Sequence, residues 1–384
     1  MKNKTIIYLF AICMASAAIA QENIIPWQRS SHMTTGIHFQ YFQLEEDNAI
    51  TQVSFPTSVM FPIGDKVSCK ITNSPAWTKW DVYGQKNTLS GISDTWFQMG
   101  ALLKNKKLLV HGGVGVPTGK TKLNDQEFAT ALTMSQNFVK LSLPTYGQGL
   151  CAQVGAIYSK PVKDNVIMGA GIQYLYRHQY RPLSQTFQLV NGDTKLLEPE
   201  FDPGDEISLH LGMDMLLSDY VKFMLDGSYS HYQRDMMDGV EVYGSGGRIK
   251  LDTGVYYQFE EQYLWALISY RYKGKNEFLR SLGFVTEEKN SNGYEVEMNV
   301  LYDPYSFDSG SLFLLMDNRF YGPGVYTGEG IQLYGAGMGM DMMWGRGNNK
   351  MDFQFKFFFG QRHEGGATIA MRGFEVLTNL NFDL

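Results

Sequence analysis

The 384-residue chain carries 33 lysines and arginines against 39 aspartates and glutamates, a formal charge of −6 that offers no basic surface to nucleic acid. Its 40 glycines and 14% aromatic content suit bending strands with aromatic flanks. Beyond the first twenty residues no stretch approaches the roughly 18 apolar residues of a membrane helix, so a helical membrane protein is not expected.

At the N-terminus, Lys2 and Lys4 precede the apolar run Ile6 to Met14, and Ala18-Ile19-Ala20 places small residues before Gln21. That is the layout of a secretory signal, with 1–20 removed and 21–384 left as a single domain. Cys13 follows Ile12 inside the apolar run, which argues against lipidation. Cys69 and Cys151 show no metal or redox spacing, and the sequence leaves open whether they are bonded. The seven histidines are scattered, with no close pair at ligand spacing, so neither a metal nor a cofactor is expected.

From residue 33 onward apolar and polar residues alternate. Ile207, Leu209, Leu211, Met213 and Met215 alternate with Ser208, His210, Gly212 and Asp214; Met351, Phe353, Phe355 and Phe357 enclose Asp352, Gln354 and Lys356. A strand can keep one apolar and one charged face in such a pattern, and a helix cannot. Candidate strands begin near 33, 49, 65, 91, 105, 149, 163, 204, 219, 246, 261, 291, 308, 330, 350 and 371, with a count of 14 as the alternative. Many exceed the 5 to 6 residues of soluble strands and match the roughly 9 to 11 of membrane strands.

Connection lengths alternate as well. Tight joints are expected near Gly64-Asp65, Asn105-Lys106, Lys163-Asp164, Ser218-Asp219, Glu260-Glu261 and Gly347-Asn348. Longer polar segments are expected at 74–90, 118–148, 178–203, 234–245, 275–290 and 362–370. The chain then closes on a strand, Phe374, Val376, Leu380, Phe382 and Leu384 alternating with Glu375, Asn379, Asn381 and Asp383. Together these predict an all-β fold: a transmembrane, antiparallel, up-and-down barrel of about 14–16 strands, with short periplasmic turns and long external loops.

Three stretches imitate other chemistry. Gly-Lys-Thr at 119–121 suggests a phosphate loop, but the required first glycine falls on Val114 and no helix clearly follows. Met338, Met340 and Met342 suggest copper ligands, yet alternate as one face of a strand toward lipid or a neighbour. Ser245, between Gly244 and Gly246, is far from a nucleophile elbow.

The polar strand face is more informative. A tight turn centred at Ser218 sets Asp214 opposite Lys222, His210 opposite Asp226 and Ser208 opposite Ser228. With Lys250, Asp252, Arg271, Glu295, Glu297, Asp352 and Lys356 these residues would line a wettable lumen. The same charges could instead neutralise one another and fill a narrow barrel.

Gly91-Ile92-Ser93-Asp94-Thr95 and the later Val116-Pro117-Thr118-Gly119-Lys120 resemble the Gly-x-x-Asp and Pro-Thr-Gly signature of an outer-membrane barrel family. This is the family named after the MetA pathway of phenol degradation; Gly91, Asp94, Pro117, Thr118 and Gly119 carry the likeness, over roughly 90–384. The resemblance implies an outer-membrane barrel that passes small hydrophobic or aromatic compounds passively, and a distant likeness to long-chain fatty-acid transporters. It brings no catalytic residues. The expected function is therefore a channel or facilitator with lipid and a small hydrophobic solute as partners. An interaction barrel with binding loops is the alternative, favoured if 118–148 closes the lumen with a short inward helix from Asp125 to Phe138. An outer-membrane hydrolase comes third.

Overall fold

In lipid every backbone amide must find a partner within the sheet, and a sheet of two-faced strands achieves this by closing on itself. In the computed structural model it does so: sixteen antiparallel strands form a closed barrel, accompanied by one short helix. The structure describes residues 31–103, 106–134, 138, 140–141, 146–182, 185–188, 194–281, 283–291, 293–307, 309–325, 327–344 and 349–384, without side chains at 185–188 and 194–197. The expected signal segment, Asn105 and the joint at Gly347-Asn348 lie outside them.

The strands are β1 (His32–Glu45), β2 (Asn48–Ser54 and Thr57–Ile63), β3 (Val67–Asn73 and Pro75–Val82), β4 (Gln85–Ile92 and Thr95–Leu103) and β5 (Leu108–Val116). They continue as β6 (Cys151–Lys163), β7 (Val166–Arg177), β8 (Glu206–Leu216), β9 (Val221–Tyr232), β10 (Arg248–Phe259) and β11 (Gln262–Lys273). The rest are β12 (Tyr294–Phe307), β13 (Gly310–Tyr321), β14 (Gly330–Met343), β15 (Lys350–Glu364) and β16 (Ala367–Asp383). The two segments of β2 pair with one strand, β1, so each divided strand is one strand with a break. Pro56 sits in the β2 break, where its missing N–H removes no ladder bond. β16 closes the barrel on β1, from His32↔Asp383 to Gln43↔Arg372.

The outer surface is a belt of exposed apolar side chains, including Val154, Tyr158, Ile172, Leu209, Leu211, Ile268, Leu314, Met338 and Phe359. So large an apolar surface is unfavourable in water and is the expected lipid-facing side of a membrane barrel. At one end the strands turn across 64–66, 164–165, 217–220 and 260–261; at the other lie the connections between β5 and β6, β7 and β8, β9 and β10, β11 and β12, and β13 and β14. Three of these longer connections are knitted into a five-stranded outer sheet of Phe201–Asp202, Arg234–Met237, Val240–Gly244, Glu277–Arg280 and Gly283–Thr286.

Two expected loops are not loops. Segment 74–90 is the hairpin of β3 and β4, turning at Tyr83-Gly84, and 362–370 is that of β15 and β16, turning at Gly365-Gly366. For 74–90 the reason lies in its outward residues. Lys79 and Asp81, which pair with one another, and Lys86, Thr88 and Ser90 replace the apolar residues of a lipid-facing strand. With charged and polar residues on the outward face and a mixed inner face of Ala76, Thr78, Asn87 and Leu89, the alternation that marks a strand fades from the sequence. Cys69 and Cys151 are both free and buried.

Candidate functional site: the barrel interior and its inward loop

The connection 117–150 does not stay outside the barrel. Its helix α1 (Asp125–Met134) begins with a capping box: Asn124 Oδ1 accepts the Glu127 N–H at 3.0 Å and the Glu127 carboxylate accepts the Asn124 N–H at 3.1 Å. Leu123 and Ala131 pack with Leu89 of β4, and Phe128 and Tyr146 lean on that cluster. Further along, Phe138 joins Phe42, Ile50, Tyr321, Ile331, Leu333 and Phe358 in an apolar cluster on the inner wall. Phe138 meets Tyr321 edge-on, with ring centres 6.4 Å apart. The loop therefore crosses from β4 and β5 to the wall at β13.

Its neck is fastened by the residues that carry the family resemblance. Asp94 lies in the break of β4, where one carboxylate oxygen accepts the Gly119 N–H at 3.0 Å and the other the Gln148 N–H at 2.6 Å. Thr118 Oγ1 accepts the Thr95 N–H at 2.9 Å and donates to the Ser93 carbonyl at 3.1 Å. The two ends of the loop touch at Gly119 and Gly147: a Cβ on Gly119 would lie 2.6 Å from the Gly147 Cα. Only glycine fits that crossing. Pro117 enters the loop directly after β5, and Gly91 pairs with Ala76 on the β3–β4 ladder.

Inside the barrel, β11 to β16 carry a continuous charge belt. Arg271 meets Glu295 at 2.8 Å, and Lys140 reaches from the loop to the same carboxylate at 2.6 Å and also to Glu297. Arg319 grips Asp317 with two bonds of 2.9 and 2.8 Å, and Lys356 joins Asp317 and Glu375, both at 3.1 Å. Arg319 also lies 4.5 Å over the Phe358 ring. Gln40 donates to Glu375 at 3.1 Å and to the Lys140 carbonyl at 3.3 Å, tying the loop back to β1. Arg319 is almost fully buried, so these pairs rely on mutual compensation more than on water.

The adjoining wall, β8 to β10, is arranged differently. The hairpin after β8 pairs Leu216 with Lys222, Asp214 with Met224, Gly212 with Asp226, His210 with Ser228 and Ser208 with Ser230. This corrects the expected pairings Asp214 with Lys222, His210 with Asp226 and Ser208 with Ser228. The turn centres on Asp219 because the Ser218 hydroxyl accepts the Tyr220 and Val221 N–H groups. Moving the centre by one residue moves every partner by two, so each side chain keeps its face. Asp214 and Lys222 still meet, diagonally, at 3.5 Å, and Ser208 and Ser230 share a 2.7 Å hydroxyl bond. Lys250 pairs with Asp252 along its own strand at 2.8 Å.

Arg271, Glu295, Glu297 and Lys356 thus fall in the belt, and Asp214, Lys222, Asp226, Lys250 and Asp252 on the second wall with His210. Asp352 stands apart from both, with Gln354 at 3.1 Å and Asn379 at 3.5 Å. Sequence reasoning did not single out Lys140, Asp317, Arg319 or Glu375. Asp317 and Arg319 follow the same alternation between Met316, Asn318 and Phe320 and were within its reach. Lys140 was not, because a loop residue has no face that periodicity can assign.

Fold and interior together define a membrane-spanning β-barrel whose lumen is entered by one of its own loops. No family model matches the chain, and no curated protein sequence does. Among solved structures it is similar to a BenF-like porin from Pseudomonas fluorescens, at 8% identity over 92% of this chain and 98% of that one, with a TM-score of 0.48. The outer membrane protein OprD of Pseudomonas aeruginosa is similar at 9% identity over 92% and 94% of the two chains, TM-score 0.46. The toluene transporter TbuX of Ralstonia pickettii is similar at 10% identity over 93% and 90%, TM-score 0.41. Likeness at this level is a likeness of barrels, and the function is argued from the interior itself.

Proposed function

We propose that the protein is an outer-membrane channel through which small hydrophobic or aromatic solutes diffuse passively. The observation that carries this reading is a sixteen-stranded barrel with a charged, hydrogen-bonding interior. A barrel of that size leaves an aqueous passage unless something fills it. The loop 117–150 narrows the passage, and Phe138, Ile331, Leu333 and Phe358 set a non-polar surface beside the charge belt. A solute with an aromatic ring meets both kinds of wall. His210, Asp214, Lys222, Asp226, Lys250, Asp252, Arg271, Glu295, Glu297, Asp352 and Lys356 keep the passage wet, while the outward apolar belt is bathed in outer-membrane lipid.

The alternative, an interaction barrel, draws on the same loop. A segment that crosses the lumen under a knitted outer sheet suits a barrel that binds at its outer end and conducts nothing. Planar-bilayer recording of refolded protein separates the two, with heat-modifiable gel mobility as the folding control. Stable conductance steps and uptake of an aromatic solute into liposomes support the channel. A folded barrel that neither conducts nor admits solute overturns it in favour of the interaction barrel.

A further inference from the structure

The two charged walls do not balance in the same way. On β8 to β10 three aspartates, Asp214, Asp226 and Asp252, stand with two lysines, Lys222 and Lys250. Lys222 is engaged with Asp214 and Lys250 with Asp252. Among the described residues no cation lies within ion-pair distance of Asp226. Asp226 is moreover the direct cross-strand partner of Asp252, a like-charge placement that sheets otherwise avoid. The Asp252 oxygen left over by Lys250, Oδ1, is buried and has no hydrogen-bond partner, although Asp252 is only 6% exposed. Gly212 faces Asp226 across the ladder, and a Cβ there would lie 2.6 Å from the Asp226 carboxylate. The missing side chain lets that carboxylate lie flat on the wall.

We infer that Asp226 and the free oxygen of Asp252 form a cation subsite on the lumen wall, which takes a singly charged cation, either an alkali ion or the ammonium group of a solute. One excess carboxylate calls for one positive charge. Asp226, half-buried, faces the buried Asp252, whose one cation Lys250 is held on its other oxygen; the two carboxylates repel where charge is poorly screened, and a passing monocation relieves that repulsion. The inference rests on the reading of the lumen as a solute path, and it concerns which solutes are held there.

The test places a single reporter thiol at Ser228, two residues from Asp226 on the same face, in a background with Cys69→Ala and Cys151→Ala. Its rate of modification is compared for a cationic and an anionic methanethiosulfonate reagent, with Asp226 present and with Asp226→Asn. The expected result is faster reaction with the cationic reagent and a roughly fivefold fall in the cation-to-anion rate ratio in Asp226→Asn, consistent with loss of one nearby charge. Millimolar KCl and methylammonium chloride, at matched ionic strength, are then compared as protectants. Protection by both marks a general monocation site, and protection by methylammonium alone marks a solute-ammonium site. A rate ratio unchanged by Asp226→Asn overturns the inference, as does a thiol that neither reagent reaches. Because the readout needs no current, a barrel that is modified as expected but conducts nothing removes the channel reading while leaving the subsite.

Discussion

The two inner walls of the barrel use the same residue types to opposite ends. On β11 to β16, Arg271, Arg319 and Lys356, joined by Lys140 from the loop, face Glu295, Glu297, Asp317 and Glu375, and each cation touches at least one carboxylate. On β8 to β10 one carboxylate is left over and two face each other across the ladder. The difference teaches that a buried charge can be built in as structure or left available as a site. What decides is whether the neighbouring strand, or a loop, delivers a counter-charge within about 4 Å.

The largest blow to this contrast is Arg319→Met. It leaves Lys356 as the one cation for Asp317 and Glu375, and a cost of about 3–5 kcal/mol is expected for breaking so buried a pair. The readout is the urea midpoint of the heat-modifiable folded band; a shift as small as that of a surface substitution would show that water, and not the belt, compensates those carboxylates. Gly119→Val attacks the loop at its neck, where the new side chain meets Gly147, at a cost of about 2 kcal/mol. Protease cleavage within 117–150 should accelerate while the strands stay protected, and equal cleavage of both variants would argue that the neck does not hold the loop.

Lys140→Met removes the tie between loop and belt but leaves Arg271 on Glu295, so about 1.5 kcal/mol is expected. Conductance should rise as the loop leaves the lumen, whereas an unchanged current would assign the narrowing to the wall. The smallest effect belongs to the diagonal pair Asp214 and Lys222. A double-mutant cycle should give a coupling of about 0.5 kcal/mol, and exchanging the two residues should disturb the barrel less than removing Lys222 alone. A coupling near that of a buried bidentate pair would mean the second wall is built like the first.

The shared face of the second wall's charges was an expectation of the sequence. His210, Asp214, Lys222 and Asp226 alternate with apolar residues, so their shared face follows from the period of a strand. Their exact partners did not follow, because one hydroxyl in the turn moved the register by a pair. Asp94, Thr118 and Gly119 were visible as a signature but not as a clasp, since the Gly147 and Gln148 that complete it lie far along the chain.

The amino-acid sequence by itself determined most of the strands, their number to within two and the barrel that must close them. These depend on local alternation and on the need to satisfy backbone amides in lipid. Only the tertiary structure decided that the 117–150 connection turns inward, that β3 and β4 extend through an apparent loop, and which charges find partners. Each of these is settled by contacts between residues distant in the chain, such as Lys140 with Glu295, and periodicity carries no information about such contacts.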